Sequence, residues 1–194
     1  MRSLREAGGI GLAWSEIDFH GHHQLLRVGE VVATMAVSQG PRGIMGEAVT
    51  ADGGWVFGPR GFFRRHIAIQ SGGVDYGRYQ PSAEKRSGRL EVPALPPYSW
   101  SRVDWPHLHW TFMDADGLEA LCFTGSPKSQ RIHSLLTARV DINPAALQRP
   151  ETPLLVMLCG YLVVKGDDAP VVKLEDPDLS FHDLIQSFKS ELPF

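Results

Sequence analysis

The sequence has little of what usually marks a function. Two cysteines, Cys122 and Cys159, are too few for a disulfide framework, and free thiols are expected in a chain with no secretion-type leader. Met1-Arg2-Ser3-Leu4-Arg5-Glu6-Ala7 carries no apolar run, and the expectation is a cytoplasmic protein. The net charge of −3 gives no global positive field, so nucleic acid is not an expected partner. No transmembrane segment is expected, because the longest apolar run, 153–164, falls short of the ~20 residues that a spanning helix needs. There is no Gly-x-Ser-x-Gly elbow, and no glycine-rich loop opens a helix to hold phosphate. No linker divides the chain, and no fixed-period repeat runs through it. With 194 residues and 43% hydrophobic content, the chain is long enough to bury one sizeable core.

What is present reads mainly as β. Runs at 10–19, 25–28, 31–37, 46–50, 55–57, 66–70, 90–92, 98–103, 109–113, 118–123 and 136–142 are strand-like, and Gly (20) and Pro (14) punctuate them. Asp52-Gly53 and Asp116-Gly117 lie between apolar runs, where Asp-Gly favours the tight turn of a hairpin. The polar stretch 80–88 reads as a mobile loop. The exception to the β pattern is a helix at about 153–165, whose run 153–164 is apolar on every side. A surface helix would keep a polar stripe, so this one is expected to be buried all round. Thr152 is placed to cap it, Pro153 to open it and Gly166-Asp167-Asp168 to end it. Near the C-terminus, Phe181, Leu184, Ile185, Phe188 and Leu192 share one stripe of an amphipathic helix, with Ser180 and Asp183 forming a capping-box-like start. That helix is read as docking on its own domain; the sharper alternative is docking on a protein partner or on a second copy of the chain.

The order of these parts resembles the tubby-like superfamily, in the form shared by LURP-one-related proteins, scramblase-type domains and small bacterial relatives. The resemblance rests on the glycine-rich hairpin Thr50-Ala51-Asp52-Gly53-Gly54-Trp55-Val56-Phe57, the strand bearing Tyr98-Ser99-Trp100, the strand His109-Trp110-Thr111-Phe112-Met113 with its Asp116-Gly117 turn, and the apolar helix followed by Asp167 and Asp168. It implies a closed antiparallel β-barrel around one buried apolar helix. On this reading residues 1–170 form the barrel domain and 171–194 a tail with the short amphipathic helix, which departs from the simplest form of the superfamily. The function implied is a non-catalytic binding or interaction module, contacting anionic lipid or a protein partner, without a cofactor.

The candidate site residues are few. Arg60, Arg64 and Arg65 fall close together around Phe62 and Phe63, with Arg78 on a nearby segment; guanidinium groups beside exposed aromatics suit anionic head groups at a membrane surface. The blander reading packs the phenylalanines in the core and leaves the arginines solvated. His107 and His109 share one face of a strand, which suits a metal ion, with His20, His22 or His23 as a third ligand. That gives the alternative function, a metal-dependent small-barrel enzyme. Against it, Leu108, Trp110 and Phe112 make the greasier face, and the turn around Gly21 is where exposed histidines are ordinary. Cys122 and Cys159 are expected buried and inert. Asp114 and Asp116 sit at a turn, where aspartate serves the backbone.

Overall fold

A computed structural model describes residues 1–17, 21–41, 43–60, 66–93, 95–104, 108–125 and 137–166. It is mainly β. After a one-turn helix, α1 (Leu4–Ala7), the strands are β1 (Leu12–Glu16), β2 (His22–Arg27), β3 (Glu30–Gly40), β4 (Gly43–Thr50), β5 (Gly53–Arg60), β6 (His66–Ser71), β7 (Val74–Pro81), β8 (Ser87–Glu91), β9 (Tyr98–Val103), β10 (Leu108–Met113), β11 (Glu119–Gly125) and β12 (Thr137–Ile142). Two helices follow, α2 (Pro144–Leu147) and α3 (Thr152–Gly166). Each strand pairs antiparallel with the next in the chain, and β1 also pairs with β12, Leu12 opposite Val140 and Trp14 opposite Ala138, so the twelve strands close into a barrel. Among the described strands, closure leaves no unpaired sheet edge to recruit another chain.

Alternation decides what faces in. On β10, Leu108, Trp110 and Phe112 are buried while His109, Thr111 and Met113 are half-exposed; on β9, Tyr98 and Trp100 point in and Ser99 and Ser101 point out. Exposed positions elsewhere include Thr34, Glu47, Arg89 and Arg139. These outward positions are polar, unlike the apolar outer band of outer-membrane barrels, although Val31, Val49, Val74 and Val103 are exposed as well. Among the described residues, no helix is long and apolar enough to cross a membrane.

A barrel of this many strands is too wide for its wall residues alone to fill. α3 has no polar face, and from Leu154 through Cys159 its residues are at most 1% exposed. It contacts β4 and β5 as well as β10 and β11, two pairs with four strands between them either way round the barrel. The Tyr161 hydroxyl donates to the Ile44 carbonyl at 2.7 Å, and the Cys159 thiol points at the Trp110 carbonyl at 3.9 Å. Glycine permits the approach at two places: a Cβ on Gly46 would lie 2.6 Å from the Tyr161 ring, and one on Gly160 would lie 2.5 Å from the Trp14 indole.

Several expectations need correction. The loop expected over 80–88 is confined to 82–86: β7 runs through Pro81 and β8 begins at Ser87, joined by a turn in which Ser82 N–H donates to Ser87 O at 2.8 Å. Thr152 is part of α3, and its hydroxyl donates to the Ala146 carbonyl. Before it, α2 is capped by Asn143, whose side-chain oxygen accepts from Ala145 N–H at 2.9 Å. His23 is buried on β2, its ring stacked on Trp14 at 5.7 Å, because it shares the inward face with Leu25. Cys122 is half-exposed on the outer wall, since Leu121 and Phe123 take the inward positions on either side of it. The C-terminal helix and residues 167–194 lie outside the described residues.

Candidate functional site

Two of the arginine candidates, Arg60 and Arg78, fall on the outer wall over β5 to β8. Arg60 ends β5, Arg78 lies on β7, and both line one open concavity of about 510 Å³ together with His66, Ala68, Asp75, Tyr76, Gly77, Glu91, Val92 and Pro93. The local chain geometry makes the hollow. The β6–β7 register shifts between Ile69 and Gln70, so Tyr76 is an extra residue on β7 and the strand bends there. Ala68 and Gly77 are too small to fill the space. A Cβ on Gly77 would lie 2.8 Å from the Glu91 carbonyl, so only glycine lets β7 and the chain after β8 come this close.

Each arginine faces a carboxylate. Arg60 bonds Asp75, which also accepts from Gln70 Nε2 at 3.0 Å. Arg78 Nε donates to Glu91 Oε2 at 2.7 Å, and Arg89 stands 3.8 Å from the same carboxylate. The Gln70 amide and then the Arg60 guanidinium hold the Asp75 carboxyl below its ordinary range. Such exposed pairs contribute little, with a median of about 0–1 kcal/mol, so an incoming anion can replace the carboxylates at small expense. A guanidinium has five N–H donors, and the Arg60 and Arg78 side chains are 49% and 61% exposed, so both keep donors for a ligand. Arg64 and Arg65 lie outside the described residues.

The second candidate lies further round the wall on β10 and β11, beyond β9. His109 faces outward, as the alternation requires, and its Nδ1 is 3.7 Å from Cys122 Sγ and 3.3 Å from Thr124 Oγ1. Thr111 Oγ1 lies 3.7 Å from the same sulfur. Partial burial pushes the Cys122 thiol up; the hydroxyls of Thr111 and Thr124 oppose this, while the carboxylates of Glu119 and Asp141 add to it. A thiol in that setting is protonated at neutral pH and is a poor nucleophile. Cys159 is buried and its thiol is pushed up further. His107, the other half of the expected metal pair, lies outside the described residues, as does His20. Among the described residues, no three His, Cys, Asp or Glu side chains converge as metal ligands.

Comparison with protein families, curated proteins and solved structures finds no match. The site therefore has to be read from its own chemistry.

A buried polar cluster escaped the sequence reading. The Tyr98 hydroxyl donates to Glu151 Oε1 at 2.5 Å and accepts from Arg149 at 3.1 Å, and Arg149 also donates to Asp114 Oδ2 at 2.9 Å. The other Asp114 oxygen accepts from the backbone N–H groups of Asp116 and Leu118 at 3.0 and 2.9 Å, which is the turn role expected of it. Burial, with the Glu151 bond and against the Arg149 bond, pushes the Tyr98 hydroxyl up to about 12. The cluster ties β9 and the β10–β11 turn to the residues that lead into α3. Tyr98, Arg149, Asp114 and Glu151 are joined in one chain of hydrogen bonds, which makes the cluster a fastening. Its members are far apart in the sequence, so no local signal pointed to it.

Proposed function

We propose that this chain is a non-catalytic binding module of the tubby-like kind, a barrel with α3 as its central plug, which takes anionic lipid head groups in the groove over β5 to β8 at the cytoplasmic surface of a membrane. The observation that carries this reading is that Arg60 and Arg78, on separate strands, line one open concavity with their guanidinium groups half-exposed. A phosphate bound between them would receive charge-assisted hydrogen bonds from both sides. The plug reading supports a binding role on the outside, since the buried side chains between Leu154 and Val163 would occupy interior space that a substrate needs.

The opposing carboxylates of Asp75 and Glu91 set the expected strength. They cancel most of the local charge, so binding is weak, salt-sensitive and dependent on several lipids acting together. Co-sedimentation of the full chain with phosphatidylserine-containing vesicles and with pure phosphatidylcholine vesicles tests this. Binding to the anionic vesicles alone, reduced by salt and lost in Arg60→Glu/Arg78→Glu, is expected. Competition by inorganic phosphate separates recognition of the phosphate group from recognition of the membrane surface. Equal binding to both vesicle types, or an unaffected double variant, would overturn the proposal.

A further inference from the structure

Three donor atoms meet on the outer face of β10 and β11, away from the groove. Cys122 Sγ, His109 Nδ1 and Thr124 Oγ1 stand 3.7, 3.3 and 3.8 Å apart pairwise. Such a triangle has its centre about 2.1 Å from each corner, against typical zinc distances of about 2.3 Å to sulfur, 2.0–2.1 Å to imidazole nitrogen and 2.0–2.2 Å to a carboxylate oxygen, in whose place the Thr124 hydroxyl stands. An ion seated just above this plane would lie within coordination distance of all three atoms. The strands hold the triangle in place: His109 is paired with Thr124 and Thr111 with Cys122 in the β10–β11 register, so both partners stand on the same outer surface. The inward neighbours Trp110, Leu121 and Phe123 are buried and lock the pleat beneath them.

We propose that Cys122, His109 and Thr124 form a surface site for a thiophilic divalent ion of the zinc class, with the fourth coordination position open to water. The third donor is a hydroxyl, so the site is not a cluster of three His, Cys or acidic side chains. Thiolate and imidazole select zinc-class ions over calcium and magnesium, which prefer all-oxygen sites. Binding exchanges the Cys122 thiol proton for the metal: the S–H bond breaks, a sulfur–metal bond forms and the proton leaves to solvent. No electron is transferred. Asp141, paired with Cys122 in the β11–β12 register, adds negative charge beside the site, although Arg139 holds its carboxylate at 2.8 Å.

Titration with Co²⁺ under reducing conditions tests the proposal in the full chain. A sulfur-to-cobalt charge-transfer band and tetrahedral d–d bands that saturate at one equivalent and are displaced by Zn²⁺ are expected. Cys122→Ser should abolish the charge-transfer band. His109→Ala should weaken binding by at least about tenfold, since loss even of a group behind a ligand weakens metal affinity by about 10–100-fold. Thr124→Val, which keeps the shape, should weaken it less. All three side chains face outward, and intrinsic tryptophan fluorescence checks that each variant is folded. Cobalt that stays in its aqueous octahedral form, a band that survives in Cys122→Ser, or unchanged affinity in His109→Ala would each overturn the site.

Discussion

Replacing Gly160 with alanine sets two effects of opposite sign against each other. Within a helix, alanine is favoured over glycine by about 0.8–1.0 kcal/mol, so a freely exposed α3 would be stabilised. Here the new Cβ would lie 2.5, 2.6 and 2.9 Å from Cη2, Cζ2 and Cζ3 of Trp14. The indole has nowhere to go. It is fully buried, stacked on His23 at 5.7 Å and set against Phe123 at 5.8 Å. Overpacking of this kind costs about 1–3 kcal/mol, and contact with three rigid ring atoms puts it at the upper end. The net expectation is a loss of about 2 kcal/mol, or a Tm lower by about 4–8 °C for a chain of this size. Urea unfolding followed by tryptophan fluorescence gives the stability, and the double variant Gly160→Ala/Trp14→Phe should recover part of the loss. A more stable Gly160→Ala would refute the close approach of α3 to β1, because only the helix propensity would then remain.

Other positions give independent tests. Leu158 is fully buried, so Leu158→Ala should lower stability by about 2–5 kcal/mol in the same urea assay, and Leu158→Asp should prevent cooperative folding; a soluble, cooperatively folded Leu158→Asp protein would exclude burial of that face. Val28 has φ +49 beside Gly29 at φ +81 and is 95% exposed, so Val28→Asn should raise the Tm by about 2–4 °C, relieving about 1 kcal/mol of left-handed strain without losing buried surface; an unchanged Tm would mean that the hairpin carries no such strain. The Asp114 carboxyl is held below its ordinary range, first by Leu118 N–H and, against burial, by Arg149. Because its folded pKa lies below the unfolded value of about 3.9, its contribution is complete above that pH and is lost as the pH falls through the folded value. Asp114→Asn should therefore be less stable than the parent at pH 7, with the gap closing as the pH is lowered from 5; a constant gap would contradict the charge role.

The strands that were legible share local signals. β10 alternates Leu108, Trp110 and Phe112 against His109 and Thr111, and the turn after it uses Gly117 at φ +78, a conformation that glycine adopts at no steric penalty. β7 was missed because Tyr79 is its one buried residue, and the bulge at Tyr76 breaks what alternation there is. His23 was placed in an exposed turn because Gly21 and two further histidines surround it in the sequence, although its spacing from Leu25 put both on one face. The apolar neighbours of Cys122 suggest a core position, yet those neighbours are the reason it points outward.

Composition and pattern by themselves determined a β-rich chain and one helix with no polar face, because both follow from short-range rules: side-chain periodicity, turn chemistry and the absence of charge along 153–164. Only the tertiary structure decided what meets what. Arg60 and Arg78 share a groove because β5 and β7 both flank β6, and Cys122 meets His109 because the β10–β11 register sets their strands side by side. Register and closure depend on the whole barrel forming at once, and no short stretch of sequence carries that information.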